Sequence, residues 1–105
     1  MDKVKVLVDA MRDGIDLKLN NLGYDAHSVK KFVDEGGKFK SDFSVLNHAR
    51  ENHMVLVTED TENIKGCKEN NMEYVVFGQN HTFEYLVAEL EKIRQRRVKS
   101  NDVSS

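Results

Sequence analysis

The chain predicts an α/β fold of three layers, a mainly parallel four-stranded sheet with helices on both faces. Three observations carry this. Short apolar runs of strand character recur four times, over residues 4–8, 24–29, 54–57 and 73–77. Stretches of helical spacing alternate with them in the order β-α-β-loop-α-β-α-β-α, and strands separated by helices pair in parallel. Two of the strands, Val4-Lys5-Val6-Leu7-Val8-Asp9 and Val55-Leu56-Val57-Thr58-Glu59-Asp60, run from apolar residues straight into acids. Charge is delivered in this way to one edge of a parallel sheet.

Each element has a local reason. After the first strand the period changes, with Met11, Ile15, Leu19 and Leu22 recurring at helical spacing from about Arg12, and Gly23 supplies a left-handed stop. Tyr24 to Val29 is a weaker strand with Ala26 and Tyr24 facing inward. Lys30 to Lys40 contains Gly36-Gly37 and four lysines and reads as a mobile loop anchored by Phe32, Val33 and Phe39. Ser41 caps the next helix, Asp42 lies in its first turn, and Phe43, Leu46 and Ala49 form its apolar stripe. A short helix from Thr61 to Glu69 turns Ile64 and Cys67 inward, weakened by Gly66. The fourth strand ends at Gly78. The last helix carries Phe83, Leu86, Val87, Leu90 and Ile93 on one stripe, with Thr82 or Asn80 as its cap.

The 105 residues suffice for one small domain, read as residues 1–97 with a flexible polar tail over 98–105. The composition, 39% hydrophobic and 32% charged, is that of a soluble globular protein. No apolar run approaches the roughly 18 to 20 residues that a membrane-spanning helix needs. The N-terminus lacks the apolar core and cleavage site of a secretory signal. The single cysteine, Cys67, forms no internal disulfide and excludes a cysteine zinc cluster, so a reducing cytoplasm is the expected location.

The charge is uneven. Lys92 to Lys99 holds five basic residues, among them Arg94, Arg96 and Arg97, and no acid. Such an arm can hold phosphates, or be a solvated helix end whose cations suit the helix dipole. Lys38 and Lys40, beside the Gly-Gly loop, offer the same choice between guiding an RNA backbone and simple solvation. Asp13 and Asp16 fall in the first turn of the first helix, where the dipole favours acids. The four histidines show no ligand spacing and read as surface or boundary residues.

In a parallel sheet all strand C-termini share one edge. Asp9 and Asp60 belong there, and Asp42 opens a helix that starts from it. If the first and third strands are neighbours, Asp9 and Asp60 lie side by side. Two carboxylates about 4 Å apart repel by roughly 4 kcal/mol at an effective dielectric of about 20, so such a cluster takes up protons or binds a cation. All-carboxylate donors suit a hard divalent ion, Mg2+ or Mn2+, which can activate water and clamp a scissile phosphate. The plainer alternative is that each aspartate caps a helix or solvates a loop.

Four pieces of the chain together resemble the PIN-like nuclease domains, specifically the group of the Mut-seven carboxy-terminal RNase domain and its toxin-like relatives. They are Val6-Leu7-Val8-Asp9-Ala10-Met11, Leu22-Gly23-Tyr24-Asp25-Ala26, Ser41-Asp42 opening a helix with Ala49-Arg50, and Met54-Val55-Leu56-Val57-Thr58-Glu59-Asp60. The resemblance implies a PIN-type fold and a metal-dependent ribonuclease hydrolysing RNA phosphodiester bonds. Carried over by position, Asp9, Asp42 and Asp60 are the metal-binding acids and Thr58 the supporting hydroxyl. Glu62 stands where a second aspartate is usual and is a further candidate ligand. Lys38, Lys40, Arg94, Arg96 and Arg97 are the candidate RNA contacts, and the expected partners are RNA, a protein antitoxin and a second copy of the chain. Ala10-Met11 and Glu62-Asn63 depart from the family pattern. Their alternative reading is a PIN-like module that binds RNA or protein with weakened catalysis. A phosphoacceptor receiver also places aspartate and threonine after strands, but the chain lacks its aspartate pair and its late lysine.

Overall fold

A computed structural model describes residues 3–9, 14–29 and 42–103, with side chains at 42–44 and 100–103 excepted. The described elements are β1 (Lys5–Asp9), α1 (Ile15–Asn21), β2 (Asp25–Ser28), α2 (Asp42–Glu51), β3 (Val55–Thr58), α3 (Thr61–Glu69), β4 (Tyr74–Val76) and α4 (Phe83–Val103). The four strands form one all-parallel sheet in the order β2-β1-β3-β4. The expected α/β class and its four-stranded parallel sheet are therefore observed, and β1 and β3 are neighbours at its centre.

Alternation along the strands divides the core into two layers, because successive side chains point to opposite faces. Val6, Val8, Ala26, Val55, Val57 and Val75 pack with Phe77, with Ile15 and Leu19 of α1, and with Leu86, Leu90 and Ile93 of α4. Leu7 and Leu56 face the other way, against Val45, Leu46 and Ala49 of α2 and Cys67 of α3. All four residues of β3 are buried, as a central strand covered on both faces requires.

The sequence reading differs from the structure at several ends. Gly14, at φ 83°, is the N-cap of α1, so the helix starts at Ile15 rather than near Arg12. Leu22 is 55% exposed instead of inward, because it is the C-cap and has left the helical stripe. Gly23 does take the left-handed conformation, at φ 96°. On α3 the buried pair is Asn63 and Cys67, with Ile64 only partly covered. Between the two cap candidates for α4, Thr82 is the cap: its Oγ1 accepts from the Tyr85 N–H at 3.1 Å. The helix itself continues to Val103, through residues 98–103 of the stretch read as a tail. Met11, Ser41 and the Gly-Gly loop lie outside the described residues.

Two side-chain ties hold the rim. Asn20 of α1 bonds both main-chain groups of Ala26, its Oδ1 accepting from the N–H at 2.7 Å and its Nδ2 donating to the C=O at 3.0 Å. The amide thus stands in for a fifth strand and blunts the β2 edge. Tyr24 donates its hydroxyl to the Glu91 carboxylate, joining the β2 entry to α4. Burial, and then that bond, raise the Tyr24 phenol well above its ordinary pKa.

Candidate active site at the C-terminal edge of the sheet

The register between β1 and β3 pairs Asp9 with Thr58, so the last residues of both central strands sit side by side on the carboxyl edge. Thr58 is fully buried. Its Oγ1 donates to Asp9 Oδ2 at 3.3 Å and accepts from the Asp60 N–H at 3.1 Å. Asn63, one turn into α3 and only 2% exposed, donates Nδ2 to the same Asp9 oxygen at 2.8 Å. Two neutral donors, from β3 and from α3, therefore converge on one carboxylate oxygen of β1. Their convergence fixes the carboxylate's orientation without neutralising it.

Asp60 is the N-cap of α3. Its Oδ1 accepts from the N–H of Glu62 at 2.8 Å and from that of Asn63 at 3.4 Å. This is the structural role that spacing alone allowed for it, and it satisfies two orphan donors of the first helical turn. The capping uses one oxygen; Oδ2 makes no hydrogen bond among the described residues. Glu62 is exposed, and its backbone rather than its carboxylate takes part in the cap. Asp42 is the first residue of α2, but its side chain lies outside the described residues, as do Lys38 and Lys40 altogether. The edge therefore brings Asp9, Thr58 and the Asp60 turn together, and no group of three or more His, Cys, Asp or Glu able to hold a metal ion occurs among the described residues. Carboxylate oxygens held by neutral donors fit a hard divalent cation in kind.

Sequence reasoning missed Asn63. The signal was present: Asn63 and Cys67 lie four apart, on the same helix face, directly after a capping aspartate. A buried asparagine in that place needs a polar partner, and Asp9 is the partner. Among the basic residues, Arg97 is taken up locally. Its Nε donates to Glu73 Oε1 at 2.8 Å, its Nη2 donates to the same oxygen, and Nη2 also reaches the His53 carbonyl at 3.4 Å. Arg94 pairs with Glu91 at 3.2 Å within α4. Arg96 is exposed and makes no ion pair among the described residues.

Beyond β4, the Gly78 N–H donates to His81 Nδ1 at 2.8 Å, which places the ring proton on Nε2. The same ring stacks on Tyr85 with centroids 4.4 Å apart. The adjoining Glu59 carboxylate is directed here, with Oε2 3.4 Å from the position a Cβ on Gly78 would occupy, and so away from the capping turn. No helix among the described residues is long and apolar enough to cross a membrane. No family model, curated protein or solved structure matches the chain.

Proposed function

We propose that this chain is a divalent-metal-dependent ribonuclease of PIN-like, toxin-like type, with its site on the carboxyl edge between β1 and β3. The observation that carries the reading is the paired ending of the two central strands, where Asp9 meets Thr58 in register and Thr58 and Asn63 both donate to its carboxylate. Asp9 and Asp60, with Asp42, would hold Mg2+ or Mn2+. The chemistry such an ion supplies is activation of a water and neutralisation of charge at the scissile phosphate. Thr58 and Asn63 keep the Asp9 carboxylate from turning, so that little reorganisation is needed during reaction. Thr58 also holds the Asp60 N–H, which ties the turn carrying the second acid to the first. Arg96, exposed and outside any ion pair among the described residues, is a candidate contact for an RNA backbone.

The test is cleavage of a single-stranded RNA by the full chain with Mg2+ or Mn2+, with Asp9→Asn and Asp60→Asn as controls. Cleavage that needs the metal and is lost in both variants supports the reading; cleavage that survives both, or survives a chelator, overturns it. One observation favours a second reading, a module that binds RNA without cutting it: Asp60 already serves as a helix cap and Glu62 projects into solvent. That reading expects RNA binding that falls steeply with salt and ignores chelators.

A further inference from the structure

A cavity of about 590 Å3 lies at the amino edge of the sheet, the end opposite the Asp9–Thr58 site. Its floor is Val4 and Tyr24, both buried, where the Asp25 N–H donates to the Val4 carbonyl as β1 and β2 begin. Its walls come from two helices. Leu22, the C-cap of α1, and Val98, near the end of α4, both line it and are 55% and 48% exposed. Apolar side chains of that size left open around one concave space mark it as a binding surface.

The charge around it is one-sided. Of the basic run in α4, Lys92 pairs with Glu89, Arg94 with Glu91 and Arg97 with Glu73. Glu91, the acid in the lining, also accepts from the Tyr24 hydroxyl, so its charge is already answered. Lys3 and Lys99 line the same cavity, are exposed, and make no ion pair among the described residues. The cavity therefore joins an aliphatic lining to two uncommitted ammonium groups.

The occupant must match both. A metal ion or an organic cation is repelled by the lysines. A nucleic acid strand would find no stacking platform, because the exposed walls are aliphatic and the Tyr24 ring is buried. An extended peptide would bring main-chain N–H and C=O groups that aliphatic walls leave unpaired. An aliphatic chain ending in a single carboxylate meets both demands. The α4 side of the cavity, from Glu91 to Lys99, offers it a run of about 12 Å at roughly 1.5 Å per residue. We propose that this cavity binds an aliphatic carboxylate, with its chain between Leu22 and Val98 and its head group against Lys3 and Lys99. The proposal is independent of the ribonuclease reading, since the two surfaces lie at opposite edges of the sheet.

The experiment titrates the full chain with decanoate, decanol and decyltrimethylammonium, each below its micelle concentration, following backbone amide resonances. Decanoate should bind about fivefold more tightly than decanol, with decyltrimethylammonium weaker again, since two exposed ion pairs separate the three. Its shifts should centre on Val4, Leu22, Gly23, Tyr24 and Val98, and its affinity should fall with added salt. Lys99→Glu should remove the preference over decanol, whereas Lys92→Glu, the same charge change outside the cavity, should keep it. Equal binding of all three amphiphiles, no binding of decanoate, or shifts confined to other surfaces would overturn the proposal. So would equal losses in the two lysine variants, which would reduce the effect to net charge. Displacement of decanoate by a single-stranded RNA would give the surface to nucleic acid and overturn it as well. The comparison of the three amphiphiles on the wild-type chain decides the matter even where a variant folds poorly.

Discussion

At the residue scale, the Asp60 carboxylate caps α3 through Oδ1, and asparagine offers the same acceptor without the charge. Two substitutions therefore separate capping from metal binding. Asp60→Ala should lower unfolding stability by about 1 kcal/mol through loss of the cap, read as a shift in denaturation midpoint at constant slope. Asp60→Asn should leave stability within about 0.5 kcal/mol, since both residues are strong caps, while abolishing metal-dependent cleavage. An Asp60→Asn variant that cuts RNA normally would reduce Asp60 to a cap. Cys67 gives a pH dependence. Burial raises its thiol from the ordinary 9.0 to about 11, so the folded chain keeps the proton to higher pH than the unfolded one. The stability that follows is fully present below about pH 9 and is lost as pH rises through about 11. Denaturation midpoints measured across that window should fall, and fall less steeply in Cys67→Ala. An equal slope in the two proteins would show that Cys67 is not the group responsible.

At the element scale, α2 and α3 meet where Gly66 faces Leu46. A Cβ added at Gly66 would come within 2.6 Å of Leu46 Cδ2. The glycine that looks like a weak point in a nine-residue helix is thus a packing device, and the composition of α3 alone did not reveal it. Alanine gains about 1 kcal/mol of helix propensity over glycine, while overpacking a core typically costs about 1–3 kcal/mol. Gly66→Ala should therefore fail to stabilise the wild-type chain but stabilise a Leu46→Ala background by up to about 1 kcal/mol. Equal effects in the two backgrounds would contradict the contact. Other element-level features were hidden for a related reason, since each depends on a partner distant in sequence. The apolar stripe of α4 was legible from Phe83 to Ile93, but the anchoring of its last turns through Arg97 to Glu73 was not. The strand at β2 was legible; the Asn20 amide that closes its edge was not.

At the scale of the whole molecule, alternation of apolar strands and helical stripes was enough to give the layers, because burial on both faces imposes continuous apolar character on β1 and β3. Strand order was legible only as a condition, that the two strands ending in acid be neighbours, and the sheet order β2-β1-β3-β4 meets it. That adjacency set Asp9 beside Thr58, but the second donor to Asp9, Asn63, comes from the inner face of α3, and its spacing from Cys67 marks it as inward-facing without naming its partner. The central claim is that this edge binds a divalent cation between the ends of β1 and β3. The most direct measurement is a Mn2+ titration of the full chain followed by backbone amide resonances. The claim predicts saturable broadening concentrated at Asp9, Thr58, Asp60 and Asn63, with that at Asp60 removed in Asp9→Asn. Broadening spread over exposed acids remote from the turn, such as Glu51 and Glu69, and unchanged in Asp9→Asn, would contradict it.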